Sequence, residues 1–295
     1  MPTVEQLIHR SAALLDSAQL CFGHGSDNAF DESAELVFFA VGLRHNDAPS
    51  VYSRELTSDE TAAALSLVKR RIDERIPAAY LTHRMWFCRH EFYVDERVLV
   101  PRSPIAELIE RQFAPWIDPE SITRMLDIGT GSGCIAIAAA LALTHARVDA
   151  ADISNDALMV ARINIERHQV QARVRPVCSD VFDGVGAAKY DVIVSNPPYV
   201  SSAEVAALPD EYRREPELGL LAGDDGLSIV RRILAKAELF LQPHGILIVE
   251  VGDTEATVIQ AYPSVPFIWL EFERGGGGVF LLRAEQLAEY RRELS

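Results

Sequence analysis

Apolar residues recur at spacings of three and four through about the first eighty residues, and beyond them they gather into short runs separated by helical patterns. Val4, Leu7, Ile8, Ala12 and Leu15 predict an amphipathic helix over 4–15, and a second is expected near 31–43. A third begins at Thr57-Ser-Asp-Glu60, which matches a capping box, continues through Ala64, Leu65, Leu67 and Val68, and closes on the basic turn Lys69 to Arg71. Residues 1–84 therefore read as a small helical domain. The texture then changes. Trp86, Phe87, Phe92, Tyr93, Val94, Val98, Leu99 and Val100 predict a β-hairpin between 86 and 100, followed by the stiff loop Pro101-Arg-Ser-Pro104 and a helix carrying Ala106, Leu108, Ile109 and Phe113. Arg102 in that loop either reaches an anionic group or lies on the surface. Pro115 and Pro119 close a connecting region, 85–120.

From Met125 onward, strand and helix patterns alternate. Strands are predicted at 125–129, 146–152, 173–179, 190–195 and 245–251, with helices at 133–143, 154–168, 227–241 and 254–261. Such alternation implies an α/β unit over 121–295, a mostly parallel sheet covered by helices on both faces. Strands at 267–272 and 279–283, joined across Gly275 to Gly278, are expected to form an antiparallel hairpin at the sheet edge.

Composition narrows the function. The chain has 295 residues, a hydrophobic fraction of 48% and a mean hydropathy of +0.05, which is a globular protein with a large core. With 28 Lys and Arg against 43 Asp and Glu, the net charge of -15 opposes a phosphate backbone and favours a basic partner. The first twenty residues hold no signal-peptide core and no segment suggests a membrane span, so the cytoplasm is expected. Cys21, Cys88, Cys134 and Cys178 are scattered without a Cys-x-x-Cys pair, and packing roles are expected in place of a disulfide or metal site. His9, His24 and His45 stand alone, which suggests solvated or capping roles.

Two stretches carry chemistry. Asp191 to Tyr199, DVIVSNPPY, reads as a buried strand ending at Asn196, because Pro197 and Pro198 fix φ and restrict the residue before each. An Asn-Pro step is also a plain turn signal. The Asn196 side chain and the Pro197 carbonyl nevertheless suit a planar amide or amino group, with Tyr199 offering a flat face beside it. In the second stretch, Asp127-Ile-Gly129-Thr-Gly131-Ser-Gly133 joins a strand to a helix at the sheet edge where α/β folds bind ligands. Asp152 ends the next strand 19 residues past Gly133, where a carboxylate accepts from ribose hydroxyls. Asp180 ends the third, either near an adenine amino group or as a helix N-cap. Carboxylates at these ends with no Lys among the glycines repel a pyrophosphate and welcome a sulfonium, so S-adenosylmethionine fits better than NAD or ATP.

LDIGTGSGCIA (126–136), SNPPYV (195–200), REPELGLLAGDDGL (214–227) and EVG (250–252) together resemble the bacterial N5-glutamine methyltransferases. The resemblance spans the whole chain and implies a class I Rossmann-like methyltransferase fold with a seven-stranded sheet and a helical N-terminal domain. It further implies that Asp127, Gly129, Gly131 and Gly133 line the methionine and ribose side, that Asp152 holds the ribose, and that Asp180 lies near adenine. Asn196, Pro197, Pro198 and Tyr199 would hold the substrate glutamine, Asn196 also bordering the cofactor. Of two sister groups, one modifies peptide release factors and the other a large-subunit ribosomal protein, the third by standard numbering. VLVPRSPIAEL (98–108) resembles the second group, and Gly219 points the same way; Arg214 departs from the expected His in a loop placed outside the reaction centre. No metal and no nucleic-acid substrate are expected. The same grip would suit adenine amino-group methylation, against which the charge counts.

Overall fold

The computed structural model describes residues 1–44 and 47–295, so His45 lies outside the described residues. Four helices open the chain: α1 (Val4–Ser17), α2 (Ala29–Ala40), α3 (Ser58–Glu74) and α4 (Ala78–Thr82). Thr57 accepts from the Glu60 amide at 3.2 Å while Glu60 accepts from the Thr57 amide at 2.8 Å, so the anticipated capping box starts α3. Val4, Leu7 and Ile8 of α1 bury against Val37, Phe38, Leu56 and Ala64. Arg71 lies in the expected basic turn at the end of α3 but faces inward. It is fully buried, donating to Glu32 at 2.6 Å, to Glu211 at 3.3 Å and to the Cys21 carbonyl at 2.9 Å.

The predicted hairpin is shorter than expected: β1 (Met85–Phe87) pairs with β2 (His90–Phe92) and stops. Asp95 ends the extended run by accepting the Arg97 amide at 3.1 Å and its guanidinium at 2.8 and 2.5 Å, a local turn that competes with strand pairing. Val94, Val98 and Val100 are buried without being strand, packed with Ala79, Tyr80, Ala157 and Val160. Helix α5 (Ile105–Glu110) follows the proline loop.

The rest alternates as β3 (Arg124–Ile128), α6 (Cys134–Ala142), β4 (Arg147–Asp152), α7 (Asn155–Arg167), β5 (Val174–Cys178) and β6 (Tyr190–Ser195). A long strap with α8 (Ser202–Val205) leads to α9 (Ser228–Lys236), β7 (Leu241–Glu250), α10 (Glu255–Ala261), β8 (Ile268–Trp269), β9 (Val279–Arg283) and α11 (Ala284–Glu289), the last not anticipated. Among the described residues seven strands form one sheet in the order β5-β4-β3-β6-β7-β9-β8, parallel up to β7 and antiparallel at β9 and β8. Alternation along the strands feeds two cores: Met125, Val192, Ile246 and Ile248 on one face, Leu126, Ile193, Leu247 and Val249 on the other. Strand β8 is only two residues long. Its partner β9 begins at Val279, and the preceding glycines turn away with φ of +84° at Gly275 and +89° at Gly276. Of the cysteines, Cys134 is buried but Cys178 is exposed, so packing does not explain all four.

Candidate functional site

Strand order reverses between β4 and β6 on either side of β3, and the carboxyl ends there form the crevice in which open α/β sheets hold ligands. The glycine loop leaves β3 with Gly129, Gly131 and Gly133 at φ of +73°, +54° and +81°, a path closed to most side chains. Gly129 and Thr130 donate to the Ala151 carbonyl at 2.8 and 2.9 Å, and Gly131 donates to Asp152 at 2.9 Å. The other Asp152 oxygen takes the Ser154 amide at 2.9 Å. Asp152 thus fixes the loop and the start of α7.

Asp127 lies fully buried beneath this loop. Its Oδ2 accepts from the Thr130 hydroxyl at 2.6 Å and from the Ala136 amide at 3.2 Å, while Oδ1 has no partner. Burial pushes its carboxyl up to about 7 against those two hydrogen bonds. A buried orphan oxygen beneath a side-chain-free loop suits a ligand carrying positive charge. The residues present therefore fit S-adenosylmethionine, and Asp127, the three glycines and Asp152 are the groups that could hold it.

The Asn-Pro-Pro-Tyr loop leaves the neighbouring strand, since Ile128 of β3 is the register partner of Ser195 of β6 and the Ser195 hydroxyl donates to the Ile128 carbonyl at 2.8 Å. A Cβ at Gly129 would stand 3.7 Å from the Asn196 carbonyl oxygen and 4.0 Å from Pro197 Cα, so the two loops touch. Asn196 is half-buried and Pro197 buried. Tyr199 is held from behind: a Cβ at Gly226 would come within 2.4 Å of its carbonyl oxygen, and one at Gly252 within 2.7 Å of its ring. Burial raises the proton affinity of the Tyr199 hydroxyl, which therefore stays protonated at neutral pH. Beyond the ring opens a cavity of about 620 Å³ lined by Arg102, Tyr199, Glu250, Gly252, Asp253 and Ile259 among others.

Arg102 does reach an anionic group, and that group belongs to the protein. Both Nη atoms donate to Glu215, at 2.6 and 2.7 Å, and Glu215 also takes the Val100 amide at 2.9 Å. Burial works to raise the Glu215 carboxyl, but Arg102 prevails and holds it at about 2. The stretch around Arg214 and Glu215 is therefore not remote from the reaction loop, because Arg102 lines the same cavity as Tyr199. His24 is likewise not solvated. It is buried with Nε2 3.6 Å from Glu215 and its ring 4.4 Å from that of Tyr212, and Arg214 donates to the Glu74 carbonyl at 2.5 Å. The strap thereby ties the N-terminal helices to the acceptor loop. Composition gave no sign of this, since its partners are more than a hundred residues apart.

Asp180 stands at the same sheet edge but its carboxylate pairs with Arg232 at 2.8 Å. The turn there is made by Ser179, whose hydroxyl takes the Gly184 amide at 2.8 Å, so Asp180 is not the cap. Sequence reasoning passed over two residues. Ile153, directly after Asp152, leaves half its surface exposed, an apolar face beside that carboxylate. Glu250 ends β7 next to the Asn196 loop, and the EVG motif had marked it without giving it a role.

Residues 111–208 match the family described as Methyltransferase small domain. Over 290 residues the chain is 42% identical to a protein named ribosomal protein uL3 glutamine methyltransferase from Francisella tularensis subsp. tularensis, covering 98% of this chain and 92% of the relative. A protein of the same name from Burkholderia pseudomallei is 44% identical over 293 residues, covering 97% and 95%. Among solved structures, the catalytic domain of hMettl16 superposes with a TM-score of 0.50 at 16% identity, covering 77% of this chain and 82% of that one, which is a likeness of fold. Among the described residues no helix is long and apolar enough to cross a membrane.

Proposed function

This chain belongs to the ribosomal protein uL3 glutamine methyltransferases, and from that premise we propose that it moves a methyl group from S-adenosylmethionine to the side-chain amide nitrogen of a glutamine in the large-subunit ribosomal protein uL3. The observation that carries the reading is the contact between the two loops: the glycine cradle at Gly129 lies against Asn196 and Pro197, so a donor held by one meets an amide held by the other. Bound S-adenosylmethionine supplies the electrophilic methyl group. The rest of the work falls to side chains.

An amide nitrogen is a poor nucleophile because its lone pair is delocalised into the carbonyl. Asn196 Oδ1 and the Pro197 carbonyl accept nothing from the described residues, and both are free to take the two hydrogens of the substrate amide. Holding them turns the nitrogen toward the methyl group and stabilises positive charge as it develops there. Pro198 keeps the loop stiff and Tyr199 packs against the amide plane. On the donor side Asp127, Gly129, Gly131 and Gly133 take the methionine end, Asp152 the ribose hydroxyls, and Asp180 the adenine amino group in competition with Arg232. Ile153 offers the base an apolar face.

Residues 1–84 read the protein substrate, and the linker 85–120 couples them to the catalytic domain 121–295 through Arg102 and Glu215. The net charge of -15 suits a basic ribosomal protein met in the cytoplasm and disfavours nucleic acid as the methyl acceptor. The reading is tested by Asn196→Ala. With its fold and cofactor affinity intact, methyl transfer into purified uL3 is expected to fall on the order of 10²-fold or more, the loss typical of one oriented polar group. Near-normal turnover would remove Asn196 from the reaction.

A further inference from the structure

We propose that Glu250 is the residue that receives the proton released when the substrate amide is methylated, and that Ser103 positions it for this task. The proposal rests on the glutamine-methylation reading above and adds a group to it. Neutral amide in and neutral N-methyl amide out means that one N–H proton must leave as the N–C bond forms and the methyl–sulfur bond breaks. The Asn196 amide oxygen and the Pro197 carbonyl can orient that hydrogen but are far too weakly basic to keep it. Tyr199 stays protonated and Arg102 is a cation, so neither serves.

Glu250 is where such a group is needed. Ser195 of β6 is the register partner of Val249 of β7, so Asn196 and Glu250 leave adjacent parallel strands side by side at the same edge. The Glu250 side chain is buried and lines the cavity that opens past Tyr199. Its Oε2 takes the Ser103 hydroxyl at 2.5 Å, and Ser103 Oγ in turn takes the Ile105 amide at 3.2 Å, which fixes the carboxylate through the proline loop. Nothing among the described residues donates to Oε1. Among the described residues lining the cavity the one cation, Arg102, is committed to Glu215 with both Nη atoms. The other titratable groups facing the cavity are Asp253 and Glu255, nearer to solvent. Burial, opposed by the Ser103 hydrogen bond and by Arg102, pushes the Glu250 carboxyl up to about 7, so it can take a proton and give it back at neutral pH. In the step itself the N–H electron pair returns to nitrogen, the proton passes to Oε1 and the neutral acid then loses it to solvent through the open cavity.

The test is single-turnover methyl transfer into uL3 between pH 6 and 9, with cofactor affinity measured separately by calorimetry. The wild-type rate should climb with pH through an inflection near the Glu250 value of about 7 and then level. Glu250→Gln should lose on the order of 10²-fold in kcat, with KM for uL3 within a few-fold, and should lose the inflection. Its infrared difference spectrum should also lack a pH-dependent carboxylic acid band present in the wild type. Ser103→Ala, which removes a hydrogen bond to the ionised form, should keep the fold and move the inflection to higher pH. An inflection unmoved in both variants, or a Glu250→Gln enzyme as fast as wild type, would overturn the proposal. If Asn196→Ala is inactive while Glu250→Gln is normal, only this proposal falls; if Asn196→Ala is normal, the reading beneath it falls.

Discussion

The two loops that meet at the carboxyl edge are built in opposite ways. The glycine loop is assembled from its own neighbourhood: Asp127, Thr130 and Ala136 brace it from below, and its φ values of +73°, +54° and +81° come from glycines within five residues of one another. The Asn-Pro-Pro-Tyr loop has stiffness of its own in Pro197 and Pro198, but its position is imposed from far along the chain. Gly226 and Gly252 make room for Tyr199, while Arg102, which lines the same cavity, is held by Glu215, itself paired with His24. A loop supported by its own residues and the adjacent strand end at Ala151 and Asp152 should respond mainly to changes there. One supported from a distance should fail when remote residues change.

The largest expected effect tests that remote support. Glu215→Ala leaves the Arg102 guanidinium, three-quarters buried, facing an empty site, and breaking such a pair costs about 3 kcal/mol or more. Urea unfolding should register the loss. Because the Glu215 carboxyl is held down at about 2, its contribution is fully present above the ordinary carboxylate range and fades as pH falls toward 2. The variant should accordingly unfold less steeply in acid than the wild type, and a parallel acid profile would mean that the pair stabilises nothing.

Next in size is Gly252→Ala. At φ +50° with a Cβ 2.7 Å from the Tyr199 ring, the methyl group must push the ring out of place. Methyl transfer should drop on the order of 10²-fold, the penalty of a misplacement near 1 Å, with S-adenosylmethionine affinity unchanged. Equal losses in both would show that the two loops are not independent. Asp152→Ala is the counterpart on the donor side. It removes the acceptor for the Gly131 amide as well as the proposed ribose contact, and a charged hydrogen bond is worth about 1.5–3 kcal/mol, so calorimetry should show at least about tenfold weaker cofactor binding.

The same contrast explains what the sequence disclosed. The glycine spacing, Asp152 and the proline-backed asparagine were legible because each is a short-range signal: a tight turn, a strand end, a fixed φ. The parallel sheet was legible from the alternation of strand and helix patterns, with buried strands such as 190–195 centred on a β-branched run, Val192 to Val194. Illegible were residues whose environment is made by distant chain. Val98 to Val100 has the composition of a strand, yet Asp95 turns the backbone and the Tyr80 hydroxyl donates to the Val98 carbonyl. Arg71 looked like a helix-end cation until Glu211, 140 residues away, met it in the interior. His24 gave no sign of its partners, and Glu250 stood only as part of the EVG motif without a role, because a lone histidine or a glutamate after an apolar run acquires its meaning from what is packed against it.

The smallest expected effect lies under the glycine loop and separates binding from folding by the sign of its pH dependence. The Asp127 carboxyl is pushed up to about 7, so between pH 6 and 8 the empty protein passes from mostly protonated to mostly ionised there. A group whose folded value is raised contributes stability that is complete below its unfolded value, near 4, and is lost as pH rises through about 7, so the cofactor-free protein should become less stable across that range. Cofactor affinity should move the other way. A cationic ligand beside Oδ1 favours the ionised form, and calorimetry should find binding about fivefold tighter at pH 8 than at pH 6, with proton release at pH 6 seen as a dependence of the heat on buffer. Asp127→Asn, which keeps an acceptor for Thr130, should flatten the affinity profile and remove the buffer dependence. Affinity that weakens with pH in the wild type would mean that the orphan oxygen faces no cation, and the donor site would have to be redrawn around Asp152 alone.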